Sequence, residues 1–175
     1  MIKEILDKAN WLTYIGLISA VIGIGMCCLN KIDTAIMLLI VSGICDTFDG
    51  TVAKRLRKDK TDNFGVELDS LADIVSSGVF PIMICISMNF NSVIDMVVYS
   101  IFMISAITRL AYYNIKSGED SRHFTGVPIT TSTILIPLLY LFVKNEIAMV
   151  ASIFALSILY VTPIKIKKLN FATKI

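Results

Sequence analysis

Long apolar stretches separated by short polar ones run along almost the whole chain. Apolar runs extend from about Leu12 to Leu29, Thr34 to Phe48, Leu68 to Met88, Ser92 to Tyr113, Val127 to Val143 and Ile147 to Val161. A membrane helix needs about 20 apolar residues, so each run is a candidate span. The second is short for a full crossing, and its tail is expected to continue to Ala53. Turns are expected at Asn30 to Asp33, Asn89 to Asn91 and Lys144 to Glu146. Before the first run, Ile2, Ile5, Leu6 and Ala9 alternate with Lys3, Glu4, Asp7 and Lys8 at helical spacing. This segment is either a short amphipathic helix along the headgroups or a frayed terminus. Trp11 and Tyr14 follow where an interfacial aromatic belt belongs. Gly16, Gly23 and Gly25, with Ser19 and Ala20, give the first span a small-residue side for close packing. Pro81 lies inside the third span and should kink it or free a carbonyl; Pro128 and Pro137 lie in the fifth. The pattern predicts an all-α integral membrane protein of six transmembrane helices with a short N-terminal amphipathic helix, in one domain over 1–175.

Composition supports this. The 175 residues are 55% hydrophobic with a mean hydropathy of +0.75, too apolar for a soluble domain of that size. No cleavable signal is visible at the start. Cys27, Cys28, Cys45 and Cys85 all lie in apolar runs with no C-x-x-C spacing to suggest zinc, and the adjacent Cys27 and Cys28 are expected to be small buried hydrophobes rather than a redox couple. Net charge is +2, but its distribution is uneven. With six spans, all but Lys31 and Lys144 of the 16 Lys and Arg fall on the side that holds both termini. The positive-inside rule places that side in the cytoplasm of a multi-pass cell-membrane protein.

The acids change the picture from membrane protein to candidate enzyme. Asp46 and Asp49 end the second run, and Asp69 and Asp73 begin the third. A charge at the bilayer costs about 3 kcal/mol on insertion scales unless it is neutralised. Spacings of three and four put each pair on one helix face, so all four can meet at one depth. Hard divalent cations gather carboxylate oxygens, and Asp46, Asp49, Asp69 and Asp73 are the expected metal ligands. Gly50 and Gly65 remove side chains where a phosphate would press on the backbone. The bland alternative is four acids capping helix ends in water. Between the pairs, Lys54 to Asn63 is strongly basic: a solvated loop, a positive rim for an anionic headgroup, or both.

The order D-x-x-D-G-x-x-A, a spacer, then G-x-x-x-D-x-x-x-D resembles the CDP-alcohol phosphatidyltransferases, from Asp46 through Asp73. Lys54 stands where that family usually has Arg, with Arg55 beside it; lysine keeps the charge but lacks the planar fork. The resemblance implies transfer of a phosphatidyl group from a CDP-linked lipid to an alcohol, with release of CMP. It implies two divalent ions, Mg²⁺ or Mn²⁺, held by Asp46, Asp49 and Asp69. Asp73 would be the base that takes the hydroxyl proton while also touching the second ion. Asp49, Gly50, Ala53, Lys54, Arg55 and Gly65 would surround the nucleotide and phosphates of the CDP-diacylglycerol or CDP-archaeol-type donor. It also implies a homodimer among membrane lipids.

A second stretch, Arg109-Leu110-Ala111-Tyr112-Tyr113-Asn114 and later Phe124-Thr125-Gly126-Val127-Pro128, has two readings. It is a positive anchor with an aromatic belt, or it resembles the phosphatidylserine synthase branch of the family. That branch implies L-serine as acceptor, with Arg109 as a fork for its carboxylate and Asn114 beside it. Acceptors bearing a phosphate, glycerol 3-phosphate or an inositol phosphate, stay open because Arg109, Lys116 and Arg122 could hold one. A rival from another class is a small transporter, since intramembrane acids mark those too. His123 is the single histidine, so no histidine triad can be built. Nothing in the chain suggests nucleic-acid binding.

Overall fold

The computed structural model describes residues 10–56, 63–116, 123–125, 127–162 and 165–167. The side chains of 51–56, 63, 116, 123–125 and 165–167 lie outside that description. So do the predicted amphipathic segment Ile2 to Ala9, most of the basic linker, Arg122 and Gly126. Seven helices account for nearly everything else: α1 (Trp11–Cys28), α2 (Ile32–Leu56), α3 (Asn63–Asp73), α4 (Phe80–Ser87), α5 (Val93–Lys116), α6 (Thr131–Phe142) and α7 (Glu146–Val161). A π-helical segment, Ile74–Val79, joins α3 to α4 without a break. Three helical stretches, Trp11–Cys28, Phe64–Ser87 and Val93–Ile115, are long and apolar enough to cross a membrane. The apolar helices α6 and α7 are shorter. Helix α2 has 25 residues but carries Asp33, Asp46 and Asp49, so composition alone does not mark it as a span.

Small polar residues are buried among the apolar core, while many other large apolar residues face outward. Ile15, Ile18 and Ile22 on α1, Ile104 on α5 and Leu138 and Leu141 on α6 are exposed. Ser19, Ser42, Ser76, Ser77, Ser132, Thr133 and Ser157 are buried. An exterior this greasy suits lipid, where helix association depends on close packing and interhelical hydrogen bonds. The buried apolar cluster includes Leu39, Phe80, Ile84, Phe102, Ile136, Met149 and Ile153. The expectation of small buried hydrophobes holds for Cys27 but not for Cys28, which is exposed.

Helix α1 packs on α2, and α5 on α7. Gly16, Ser19, Ala20 and Gly23 lie on the buried side of α1, as their spacing predicts. A Cβ on Gly23 would sit 2.1 Å from the Phe80 ring, so α4 reaches α1 through that glycine. Gly25 is a correction to the expected small-residue side: it faces open space. Two residues past Gly23 is about 200° around a helix, which carries it to the opposite surface. At Gly43 of α2 a Cβ would meet Thr133 Oγ1 at 2.4 Å, so α6 uses the same device.

Pro81 does free a carbonyl. It has no N–H to return to Ser77 four residues back, and Ser132 Oγ of α6 donates to the Ser77 carbonyl at 2.6 Å. The N–H of Phe80 bonds to Val75 O, a five-residue return. The third span therefore changes phase just after Asp73.

Asn30, Asn89 and Lys144 have positive φ at the three short turns, matching the expected turn positions. One departure from an all-α chain concerns the acceptor-side loop and the basic tail. His123–Thr125 (β1) pairs antiparallel with Lys165–Lys167 (β2), Phe124 opposite Ile166. Helical periodicity does not predict that pairing, because it joins segments about 40 residues apart that have no apolar pattern of their own.

Candidate functional site

The expected acids come together. Asp46 and Asp49 lie in the second half of α2; Asp69 and Asp73 lie on the α3 side of the third span. One carboxylate oxygen from each of Asp46, Asp49 and Asp69 lies within 4.8 Å of the others. Asp73 is buried and hydrogen-bonded, side chain to side chain, with Asp46. Two ionised carboxylates cannot make that contact without a shared proton or a cation, because like charges at such range resist joint ionisation. An oxygen-only set of this density is the chemistry of a hard divalent cation. The arrangement therefore fits Mg²⁺ or Mn²⁺, with Asp46, Asp49 and Asp69 as the closest set and Asp73 alongside.

Helix α1 supplies a partner that the acid spacing does not reveal. Thr13 Oγ1 donates to Asp49 Oδ2 at 2.9 Å, and the contact is buried. Beside it is a cavity of about 10 Å³, lined by Thr13, Gly16, Leu17, Ser42, Asp46, Asp49, Ala72, Asp73 and Ser76. That is about one water-sized sphere. The only trace of Thr13 in the sequence is its place on the small-residue side of α1, one turn before Gly16.

Gly50 is exposed, and a Cβ there would meet nothing within 4 Å. The space beside Gly50 is open. Gly65 is buried and lies inside α3, which begins at Asn63, earlier than the expected span start at Leu68. Ala53, Lys54 and Arg55 are on the last turns of α2, their side chains beyond the described residues.

Arg109 is not an exposed anchor. It is buried on α5, within Coulombic range of Asp73, Tyr113 and Tyr160, rather than snorkelling to the headgroups. Tyr112 and Tyr113 are 47% and 39% exposed. Asn114 exchanges hydrogen bonds with Ser70 at 3.0 and 3.2 Å. Ser70, next to Asp69, ties the acid-bearing helix to the end of α5. Its partner was not evident from the sequence.

A helical arrangement that gathers four aspartates from two successive helices, with a buried arginine in electrostatic range of one of them, is the mark of a class. The sequence profile of the CDP-alcohol phosphatidyltransferases matches residues 6–162, and the chain belongs to that family. The chain is similar to the CDP-diacylglycerol–serine O-phosphatidyltransferase of Saccharomyces cerevisiae, with 38% identity over 106 residues, covering 55% of this chain and 38% of the yeast protein. It is similar to the Bacillus subtilis protein of the same name, with 30% identity over 141 residues, covering 78% of this chain and 76% of that one. The archaetidylserine synthase of Methanothermobacter thermautotrophicus is 27% identical over 143 residues, covering 81% of this chain and 61% of the archaeal protein. The chain thus spans less than two thirds of the length of the yeast and archaeal relatives.

Proposed function

We propose that this chain is a phosphatidylserine synthase, transferring a phosphatidyl group from CDP-diacylglycerol, or a CDP-archaeol-type lipid, to the hydroxyl of L-serine. The observation that carries the reading is the meeting of the four aspartates, with Arg109 in electrostatic range of Asp73. The names of the relatives add the acceptor.

In this reading Asp46, Asp49 and Asp69 hold the metal, with Asp73 beside a second ion. Two Mg²⁺ or Mn²⁺ ions would neutralise the donor pyrophosphate and stabilise charge developing on the departing CMP. Asp73 takes the proton from the serine hydroxyl. The serine oxygen forms the new bond to the lipid-bearing phosphorus, and the phosphoanhydride oxygen leaves with CMP. Arg109 pairs with the serine carboxylate, with Asn114 beside it. Gly50, Ala53, Lys54, Arg55 and Gly65 surround the nucleotide and phosphates. The lipid tails stay in the bilayer while the cytidine sits at the water edge. That requires the acidic end of a six-span, homodimeric single domain to face the cytoplasm, as the distribution of Lys and Arg argues.

The test is CMP release by the purified protein in a membrane mimic. It is given CDP-diacylglycerol or its ether-linked counterpart and a panel of L-serine, glycerol 3-phosphate and inositol phosphate. Serine-dependent release that stops on chelation is expected. Release with a phosphate-bearing acceptor but not serine overturns the acceptor and keeps the class. A protein that takes up no cytidine nucleotide with metal present loses the enzyme reading to a transporter.

A further inference from the structure

We infer that Thr13 is a positioning residue for the acidic cluster, pinning one carboxylate oxygen of Asp49 so that the other is presented to the cation held with Asp46 and Asp69. This deepens the metal-dependent reading above and rests on it.

Asp49 is 5% exposed, while Asp46 and Asp69 are only half-buried. A carboxylate on a single side-chain bond turns freely unless something fixes it. The hydroxyl of Thr13, a buried residue, does so at 2.9 Å, and hydrogen bonds to a charged acceptor are the stronger kind. The height of that hydroxyl is set by the α1–α2 interface. Next to Thr13, Ser42 Oγ donates to the Gly16 carbonyl at 2.9 Å; farther along the interface, away from the acids, Ser19 Oγ makes a separate tie to the Leu38 carbonyl at 3.1 Å. A Cβ on Gly16 would lie 3.1 Å from Cys45 Cβ and 3.5 Å from the Ser42 carbonyl oxygen, so the two helices approach closely here. A helix that carries no acid thus aims a ligand borne by its neighbour. Partners that orient metal ligands in this way typically contribute 10- to 100-fold to metal affinity.

The competing role is a plain tie between helices, and three variants separate the two. Thr13→Val removes the donor at nearly constant shape, Thr13→Ser keeps it, and Ser19→Ala removes a tie on the same interface away from the acids. Mn²⁺ binding to the full-length protein in nanodiscs, without substrate, is read by electron paramagnetic resonance. Thermal unfolding and the Mn²⁺ concentration for half-maximal CMP release are read alongside. Thr13→Val should weaken Mn²⁺ binding by about 10- to 100-fold and raise the Mn²⁺ requirement in parallel. Thr13→Ser should stay close to the parent. Ser19→Ala should lower the Tm and leave Mn²⁺ affinity where it was. Should Thr13→Val fail to fold, Thr13→Ala is measured against Thr13→Ser in its place. Parent-like Mn²⁺ affinity in the donor-free variant overturns the inference, and so does equal weakening in Ser19→Ala. A parent chain that binds no Mn²⁺ sinks this inference together with the metal-dependent reading. A parent that binds Mn²⁺ but does not use serine, with Thr13→Val weakened, sinks the acceptor alone.

Discussion

At one end of the bundle Asp33 accepts the Tyr140 hydroxyl at 2.5 Å, and Asp95 accepts the Ser92 N–H at 2.8 Å while Ser92 Oγ accepts the Asp95 N–H. At the other, Asp46, Asp49 and Asp69 bring their oxygens together and Asp73 bonds to Asp46. The first end also holds the tight turns at Asn30 and Lys144, with Lys144 Nζ stacked over the Tyr140 ring at 4.7 Å. Its acids are ordinary helix-start residues satisfied by protein donors. At the second end acids are set against acids, with Thr13 from another helix as a donor. The same side chain is a structural group in one place and a candidate metal ligand in the other. What separates them is whether the surroundings supply protons or further negative charge. An acid satisfied by donors has no use for a cation, whereas a group of acids set against one another needs a shared proton or a cation.

That contrast can be broken in order of size. Asp73→Asn should lower serine-dependent turnover by about 10²- to 10⁴-fold, the range of a lost general base, with CDP-lipid binding retained; full turnover would return Asp73 to the structural kind. Asp69→Ala should lose Mn²⁺ binding and activity together, and excess Mn²⁺ should restore part of both, as titration calorimetry alongside CMP release would show. Asn114→Ala should raise the serine KM by up to about 10-fold, the worth of one net hydrogen bond, with little change in kcat. An identical effect from Ser70→Ala would mean that the pair only props α3 against α5. The smallest effect belongs to the opposite end. Tyr140→Phe should cost about 1 kcal/mol of stability, seen as a lower Tm, with turnover unchanged. A large loss of activity there would erase the distinction between the two ends.

The helices were largely legible. Apolar runs placed α1, α5 and α7 within a few residues, because a membrane helix must satisfy its own backbone and announces itself by length. The turns were legible for the complementary reason, since polar residues interrupt the runs there. Spacing of three and four put each aspartate pair on one face, and the pairs do meet. Other contacts were not legible. Thr13 lies 36 residues from Asp49, and Ser70 44 from Asn114. Nothing local marks either pair. The strand pairing of His123–Thr125 with Lys165–Lys167 is likewise a meeting of two segments with no pattern between them.

By itself the sequence determined which residues share a helix face, where the helices stop and that four acids had to find company. Only the tertiary structure decided that Arg109 turns inward while Tyr112 and Tyr113 stay out, that Gly25 faces away from the packing, and that α1 sets a hydroxyl on Asp49. The helical period fixes directions around one axis. Which neighbour lies in each direction depends on how the axes pack, and that is a sum over contacts distant in sequence.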